Sequence, residues 1–100
     1  MNLFELTATR TVELIKNGDT TARAVTEAVL ARMDAVNPAL NAVVARDDDA
    51  ALQAADAVDA ARARGDVLGP MAGVPVTIKE NVDQTGFATT NGLRIQKDLV

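Results

Sequence analysis

The amino-acid sequence predicts an α/β fold in which a pair of helices is followed by a strand, a helix and a second strand. Apolar residues recur at every third or fourth position through residues 8–36, which is typical of amphipathic helices. Further along, two short runs rich in β-branched residues flank an alanine-rich helical stretch within residues 42–79. A strand, helix, strand order of this kind is typical of a right-handed parallel βαβ unit.

The first helix is predicted over residues 8–17. Thr7 is a suitable N-cap because its hydroxyl can accept a hydrogen bond from the first turn, and Gly18 is a suitable end because glycine tolerates a left-handed backbone. Its apolar stripe consists of Ala8, Thr11, Val12 and Ile15.

The second helix is predicted over residues 21–36, opened by Thr20 or Thr21. We expect Asn37-Pro38 to end it, because a residue before proline is disfavoured in the helical region. Its stripe is formed by Ala22, Val25, Val29, Met33 and Val36.

The third helix is predicted over residues 49–64, between strands at 42–45 and 74–79. Asp47 to Asp49 precede it and arginines lie near its end, which suits the helix dipole, and Gly65 is its expected C-terminal cap. Its stripe is Ala51, Ala54, Ala55, Val58 and Ala61. The three aspartates also raise the question of a cation site, but acidic residues before a helix usually act as caps.

The composition restricts the chemistry that this segment can perform. Of its 100 residues 48% are hydrophobic and 24% charged, which is typical of a folded protein. The chain has no histidine, cysteine or serine, so it cannot assemble a Ser-His-Asp or Cys-His centre or the usual zinc site. Gly65, Gly69 and Gly73 have loop spacing and lack the Gly-Lys-Ser/Thr of a phosphate cradle. We expect no metal and no cofactor.

The charge and the start of the chain limit the expected partners and location. A net charge of −4 and only two phenylalanines disfavour direct nucleic-acid binding. The first ten residues lack the basic and apolar regions of a secretory signal, and the longest uncharged stretch, residues 67–78, is too short to cross a bilayer. We therefore expect a cytoplasmic protein without a membrane partner, and the sequence leaves a homodimer open.

Lys79 is the leading catalytic candidate, because it ends the second predicted strand and ligands collect at the carboxyl ends of parallel strands. To act as a general base near neutral pH its pKa must fall about three units from the usual 10.4, which requires burial or a neighbouring cation. The alternative is an ordinary solvated lysine, since lysines are mostly exposed.

Residues 69–92, GPMAGVPVTIKENVDQTGFATTNG, resemble the catalytic-lysine segment of the amidase signature family. The most specific part is residues 73–81, where a Gly-x-Pro strand runs into a lysine, an acidic residue and an asparagine. The preceding order agrees as well, with Asn37-Pro38 after the second helix and an alanine-rich helix that ends in Gly65. The similarity covers nearly the whole chain.

This resemblance implies a hydrolase that splits a small-molecule carboxamide through a Ser-cisSer-Lys triad. Lys79 matches the triad lysine, whereas both family serines lie in a downstream stretch, so residues 1–100 would be the N-terminal part of one amidase domain with a larger mixed sheet. Two positions depart from the family pattern: Glu80 stands where aspartate is usual, and Asn91-Gly92 where Gly-Ser is common. Only Lys79 is therefore assigned a role.

Two other functions stay open at this point. Within the same family, the chain could belong to the glutaminase-type subunit of a tRNA-dependent amidotransferase, which needs partner chains. From a different class comes a non-catalytic interaction module of 100 residues in which Lys79 is merely solvated.

Overall fold

The structure, a computed structural model, describes residues 2–79 and 84–85 and is helical throughout that part. A 3-10 turn at Leu3–Glu5 is followed by α1 (Ala8–Asn17), α2 (Ala22–Leu40) and α3 (Asp48–Ala63). The described residues contain no strand. None of the helices in that part is both long and apolar enough to span a membrane.

Helix α1 has the bounds that its capping residues predict. The Thr7 hydroxyl accepts a hydrogen bond from the Arg10 amide at 3.1 Å. At the other end Gly18 adopts a left-handed backbone with φ of 81°, and its amide donates to the Ile15 carbonyl. The face between these caps is buried through Thr11, Val12, Leu14 and Ile15.

Helix α2 begins after Thr21, whose hydroxyl accepts from the Ala24 amide at 3.0 Å, but it ends later than predicted. The expectation that Asn37-Pro38 ends the helix is wrong, because Pro38 lies inside the last turn. A proline there removes only its own N–H donor, so the turn can still close around it. Asn41, with φ of 51°, ends the helix instead, and its amide donates to the Asn37 carbonyl.

Helix α3 begins and ends one residue earlier than the predicted 49–64. Asp47 is its N-cap, because its carboxylate accepts from the Ala50 amide at 3.0 Å. Gly65 follows the helix with φ of 80° and donates to the Arg62 carbonyl, while the Asp66 amide reaches back to the Ala61 carbonyl. This pair of bonds is the Schellman arrangement that a glycine after a helix favours.

A small aliphatic core holds the helices together. Its fully or nearly buried members come from all three helices: Ile15, Ala22, Val25 and Ala55. Leu3, Val58 and Leu68 pack around them and are partly buried. Alanine at two of the four core positions lets the helix backbones approach closely, which compensates for the scarcity of large side chains.

Polar contacts add a specific lock between α2 and α3. The Asp59 carboxylate on α3 accepts hydrogen bonds from the Ala22 amide at 2.7 Å and the Arg23 amide at 3.1 Å. These are two of the amides that a helix N-terminus leaves without an internal partner, so a residue distant in sequence completes the cap of α2. The Arg23 guanidinium also contacts Asp56 at 2.7 Å.

Neither predicted strand, 42–45 or 74–79, is a strand in the described residues. A strand needs the backbone of a neighbouring strand, and Val43 has a different partner. Its amide and carbonyl both bond to the Asn37 side chain, each at 2.9 Å. In the second segment Val76 and Ile78 are 69% and 49% exposed. Strand pairing of these two segments is therefore not shown.

Candidate active site

The segment that leads to Lys79 leaves the helical core through a compact turn. The Ala72 amide donates to the Gly69 carbonyl at 3.2 Å, and the Val74 amide donates to the Met71 carbonyl at 3.1 Å. These two bonds bring the chain from the end of α3 back to the junction between α1 and α2, and Gly73 lies at that junction.

Gly73 has no space for a side chain. Its φ is 83°, a conformation that L residues rarely adopt. A Cβ atom at this position would lie 2.5 Å from Ile15 Cδ1 and 3.1 Å from Ala22 Cβ. The absence of a Cβ therefore allows the backbone of the turn to contact two of the four core residues directly.

The next two residues rest against the helical part as well. Val74 and Pro75 are half-buried and line a groove of about 210 Å³ between the 3-10 turn and α2. The remaining lining residues are Leu3, Phe4, Leu6, Ala8, Thr11, Val25 and Val29. From Val76 onward each residue up to Lys79 is exposed.

Lys79, the predicted catalytic residue, is thus four residues beyond the last anchored position and has an exposed side chain. Glu80 and Asn81, which follow it in the family-like motif, lie outside the described residues, as does Asn91-Gly92. The structure brings the start of the motif to the core and leaves the role of Lys79 a prediction.

The charged groups with shifted pKa values belong to the helices rather than to this segment. The pKa of Arg23 is raised by its hydrogen bond to Glu27 and by the charge of Asp56. The pKa of Arg46 is raised by hydrogen bonds to Asp48 and Asp34. Both arginines therefore stay protonated and act as fixed positive charges in surface ion pairs.

The other sequence candidates have structural roles in the described part of the chain. Asp47 caps α3 and Asp48 pairs with Arg46, so these aspartates are already engaged. Within residues 2–79 and 84–85, no cluster of acidic side chains is arranged to hold a metal ion. A second, open groove of about 460 Å³ runs along the ends of α1 and α3 and includes Arg62, which donates to the Lys16 carbonyl at 3.3 Å.

Gly73 is only a loop glycine in the sequence pattern, although it proves to be the contact between the motif and the core. Its position directly before a Val-Pro-Val strand pattern is the available signal. The left-handed backbone and the neighbouring Ile15 side chain come from tertiary structure.

Comparison with known proteins identifies the family of this chain. The Amidase family profile matches residues 24–100. The chain is 46% identical over 98 residues to the indoleacetamide hydrolase of Bradyrhizobium diazoefficiens. It is 40% identical over 100 residues to the glutaminase-type chain of Moorella thermoacetica glutamyl-tRNA(Gln) amidotransferase. These alignments cover 98% and 100% of this chain but 19% and 20% of the two relatives.

A solved structure agrees with the same assignment. It was described as "An unexpected vestigial protein complex reveals the evolutionary origins of an s-triazine catabolic enzyme", and it matches with a TM-score of 0.89 and 38% identity. The match covers 94% of this chain and 21% of that chain. The sequence thus spans about a fifth of the length of the proteins that it resembles. Because the family profile matches well over half of its residues, the chain belongs to the amidase family, in the amidase signature group that the lysine motif predicts.

Proposed function

We propose that the protein is an amide hydrolase that converts a carboxamide and water to a carboxylic acid and ammonia, with Lys79 as a general base. The observation that carries this proposal is the lysine motif, which lies within the 24–100 match to the amidase family. The anchored start of that motif at Gly73 supports it, because a catalytic group needs a defined position.

The proposed reaction uses a Ser-cisSer-Lys triad whose serines lie outside this sequence. The neutral amine of Lys79 accepts a proton from the middle serine, which accepts one from the nucleophilic serine. The serine oxygen attacks the amide carbon, and the departing nitrogen takes up a proton as the C–N bond breaks. Water then hydrolyses the acyl-serine ester and releases the acid.

The exposed segment 74–79 fits this proposal if it gains neighbours in the full-length protein. We propose that residues 42–45 and 74–79 become strands of a βαβ unit when the remaining sheet is present. Lys79 would then lie at the carboxyl end of a buried strand, where desolvation favours its neutral form.

The first experiment determines the intact mass of the full-length polypeptide under denaturing conditions, because the proposed triad needs serines that this sequence lacks. Ammonia release from simple carboxamides is then compared for the wild type, Lys79→Met and the control Lys16→Met, which changes an exposed lysine on α1. Loss of a general base lowers kcat by about 10²–10⁴-fold. The control should stay close to the wild type.

Wild-type rates in Lys79→Met would overturn the role of the lysine. A natural polypeptide with no serine would overturn the triad itself, and a non-catalytic interaction module would then be the better hypothesis.

A second candidate function is supported by the similarity to glutamyl-tRNA(Gln) amidotransferase chains. Several such relatives, from Moorella, Streptomyces and Salinispora species, are 40–44% identical to this chain. In that function the protein would hydrolyse glutamine within a complex. Purified protein that releases ammonia from indoleacetamide without a partner favours the independent hydrolase. Activity with glutamine that requires partner chains and charged tRNA favours the amidotransferase.

Other properties follow only from the hydrolase proposal or from composition. The proposed substrate is a small amide, and the triad needs no metal or organic cofactor. A cytoplasmic location, a homodimer and the lack of direct nucleic-acid or membrane binding stay predictions.

A further inference from the structure

We propose that Gly73 is a positioning residue for Lys79: its contact with the helical core sets the direction in which the lysine-bearing segment leaves that core. This inference rests on the proposed function, in which Lys79 is the general base. It adds a residue on the opposite side of the motif from the catalytic group, with a defined physical task.

The special feature of Gly73 is its surroundings rather than its backbone angle. Gly65 and Gly73 have nearly the same φ, 80° and 83°. A Cβ atom on Gly65 would meet nothing within 4 Å, whereas a Cβ atom on Gly73 would meet Ile15 and Ala22. The two glycines therefore separate backbone strain from contact with the core.

The core atoms that face Gly73 cannot move aside easily. Ile15 and Ala22 are both 0% exposed, so their side chains are enclosed by other core residues. Interiors are close-packed, and an added methyl group forces either the side chains or the approaching backbone to shift. The turn has one open side, toward solvent, so we expect the turn to move outward.

Such a movement would be transmitted to Lys79. Pro75 restricts both its own φ and the conformation of Val74, so the chain leaves Gly73 along a fixed path. Beyond Pro75, every residue up to Lys79 is exposed in the described structure, and the anchoring contacts of the segment are those at residues 73–75. A catalytic group displaced by about 1 Å can lose on the order of 100-fold in rate.

The experiment compares Gly73→Ala with the matched control Gly65→Ala in the full-length protein. Both variants place alanine at a left-handed position, but only the first adds a methyl group against the core. We expect Gly73→Ala to lower kcat by about tenfold or more while KM changes less than about twofold, because the proton-accepting group moves and the substrate contacts do not. Gly65→Ala should stay within about twofold of the wild-type kcat.

Two further readouts separate positioning from a general loss of structure. The pH at which the rate rises should shift in Gly73→Ala, because a displaced amine has different neighbours, and it should not shift in Gly65→Ala. The double variant Gly73→Ala/Ile15→Val lacks the Cδ1 atom that the new methyl group meets, so it should recover part of kcat relative to Gly73→Ala. Thermal unfolding of each variant shows whether it is folded when assayed.

The outcomes test the inference and the proposed function separately. If Lys79→Met is inactive but Gly73→Ala matches Gly65→Ala in kcat and pH profile, the positioning role is wrong and the general-base role stands. If Lys79→Met is active, the proposed function fails whatever Gly73→Ala does. Should Gly73→Ala not fold, the double variant takes its place, and a kcat equal to that of Ile15→Val alone would overturn the inference.

Discussion

The helical part of the chain and the lysine-bearing segment 74–79 contain the same kinds of aliphatic residue but treat them differently. Ile15 and Val25 in the helices are 0% and 1% exposed, whereas Val76 and Ile78 in the segment are 69% and 49% exposed. Hydrophobicity alone does not separate the two pairs. The difference lies in the partners that each region can reach within the described residues.

Backbone hydrogen bonding explains this difference. A helix satisfies its amides and carbonyls within its own sequence, so that capping residues and a nearby apolar face are sufficient to fix it. A strand must pair with another strand, and isolated pairs are marginal even when they form. The helices are thus specified by this sequence, while the lysine segment depends on sequence beyond it for its final environment.

Replacing Ile78 tests this contrast with the largest expected effect. If the segment becomes a buried strand in the full-length protein, Ile78→Ala should lower the free energy of unfolding by about 2–3 kcal/mol. In residues 1–100 alone the same change should stay within about 0.5 kcal/mol, because the side chain is already half exposed there. Urea denaturation of both proteins measures the difference.

The neighbouring residue provides the control. Thr77 lies on the opposite face of the predicted strand, and Thr77→Ala should have a small effect in both proteins. Equal effects of Ile78→Ala in the long and short chains would show that the segment gains no apolar cover, and the proposed βαβ unit would lose its support.

Residues whose determinants are local were predictable from the sequence. Thr7 and Asp47 cap their helices through contacts three residues away, and Gly18 ends α1 by its own backbone freedom. The end of α2 was predicted too early, because Pro38 is tolerated in a last turn that Asn41 closes.

Features that depend on tertiary contacts were not predictable. Asp59 lies in the middle of α3, and nothing in its own neighbourhood indicates that it caps α2, 37 residues earlier. For Gly73, the sequence identifies a family-like motif but not the core residues that it touches. The role of Lys79 rests on resemblance, because the groups that would surround it are not part of this sequence.

Replacing Asp59 should have an intermediate effect within the helical part. Asp59→Ala leaves the Ala22 and Arg23 amides at the start of α2 without the carboxylate that accepts their hydrogen bonds. Loss of an N-terminal cap costs about 1–2 kcal/mol, so we expect the free energy of unfolding to fall by that amount.

Asp56→Ala is the matched control, one turn earlier on α3. Asp56 contacts only the Arg23 side chain, and exposed ion pairs contribute little to stability. A smaller loss than that of Asp59→Ala is expected in urea denaturation. Equal losses in the two variants would mean that the interhelical charge, rather than the cap, holds α2 against α3.

The smallest effect is expected from the surface ion pairs of Arg46, which join α2 to the start of α3. Arg46 contacts Asp34 and Asp48, each at 2.7 Å, and Arg46→Met should lower Tm only slightly. The pKa of Arg46 is raised in the folded protein, so any stabilisation from its charge is fully present below its ordinary pKa of 12.5 and is lost only as the pH rises beyond that value. The Tm difference between wild type and variant should therefore be constant from about pH 6 to pH 9, because guanidinium groups stay charged there. It should shrink in about 1 M NaCl, where the Debye length is near 3 Å. A difference that varied across this pH range or persisted in high salt would show that the Arg46 side chain acts through packing, and the contact between α2 and α3 would then depend on more than the buried core and the Asp59 cap.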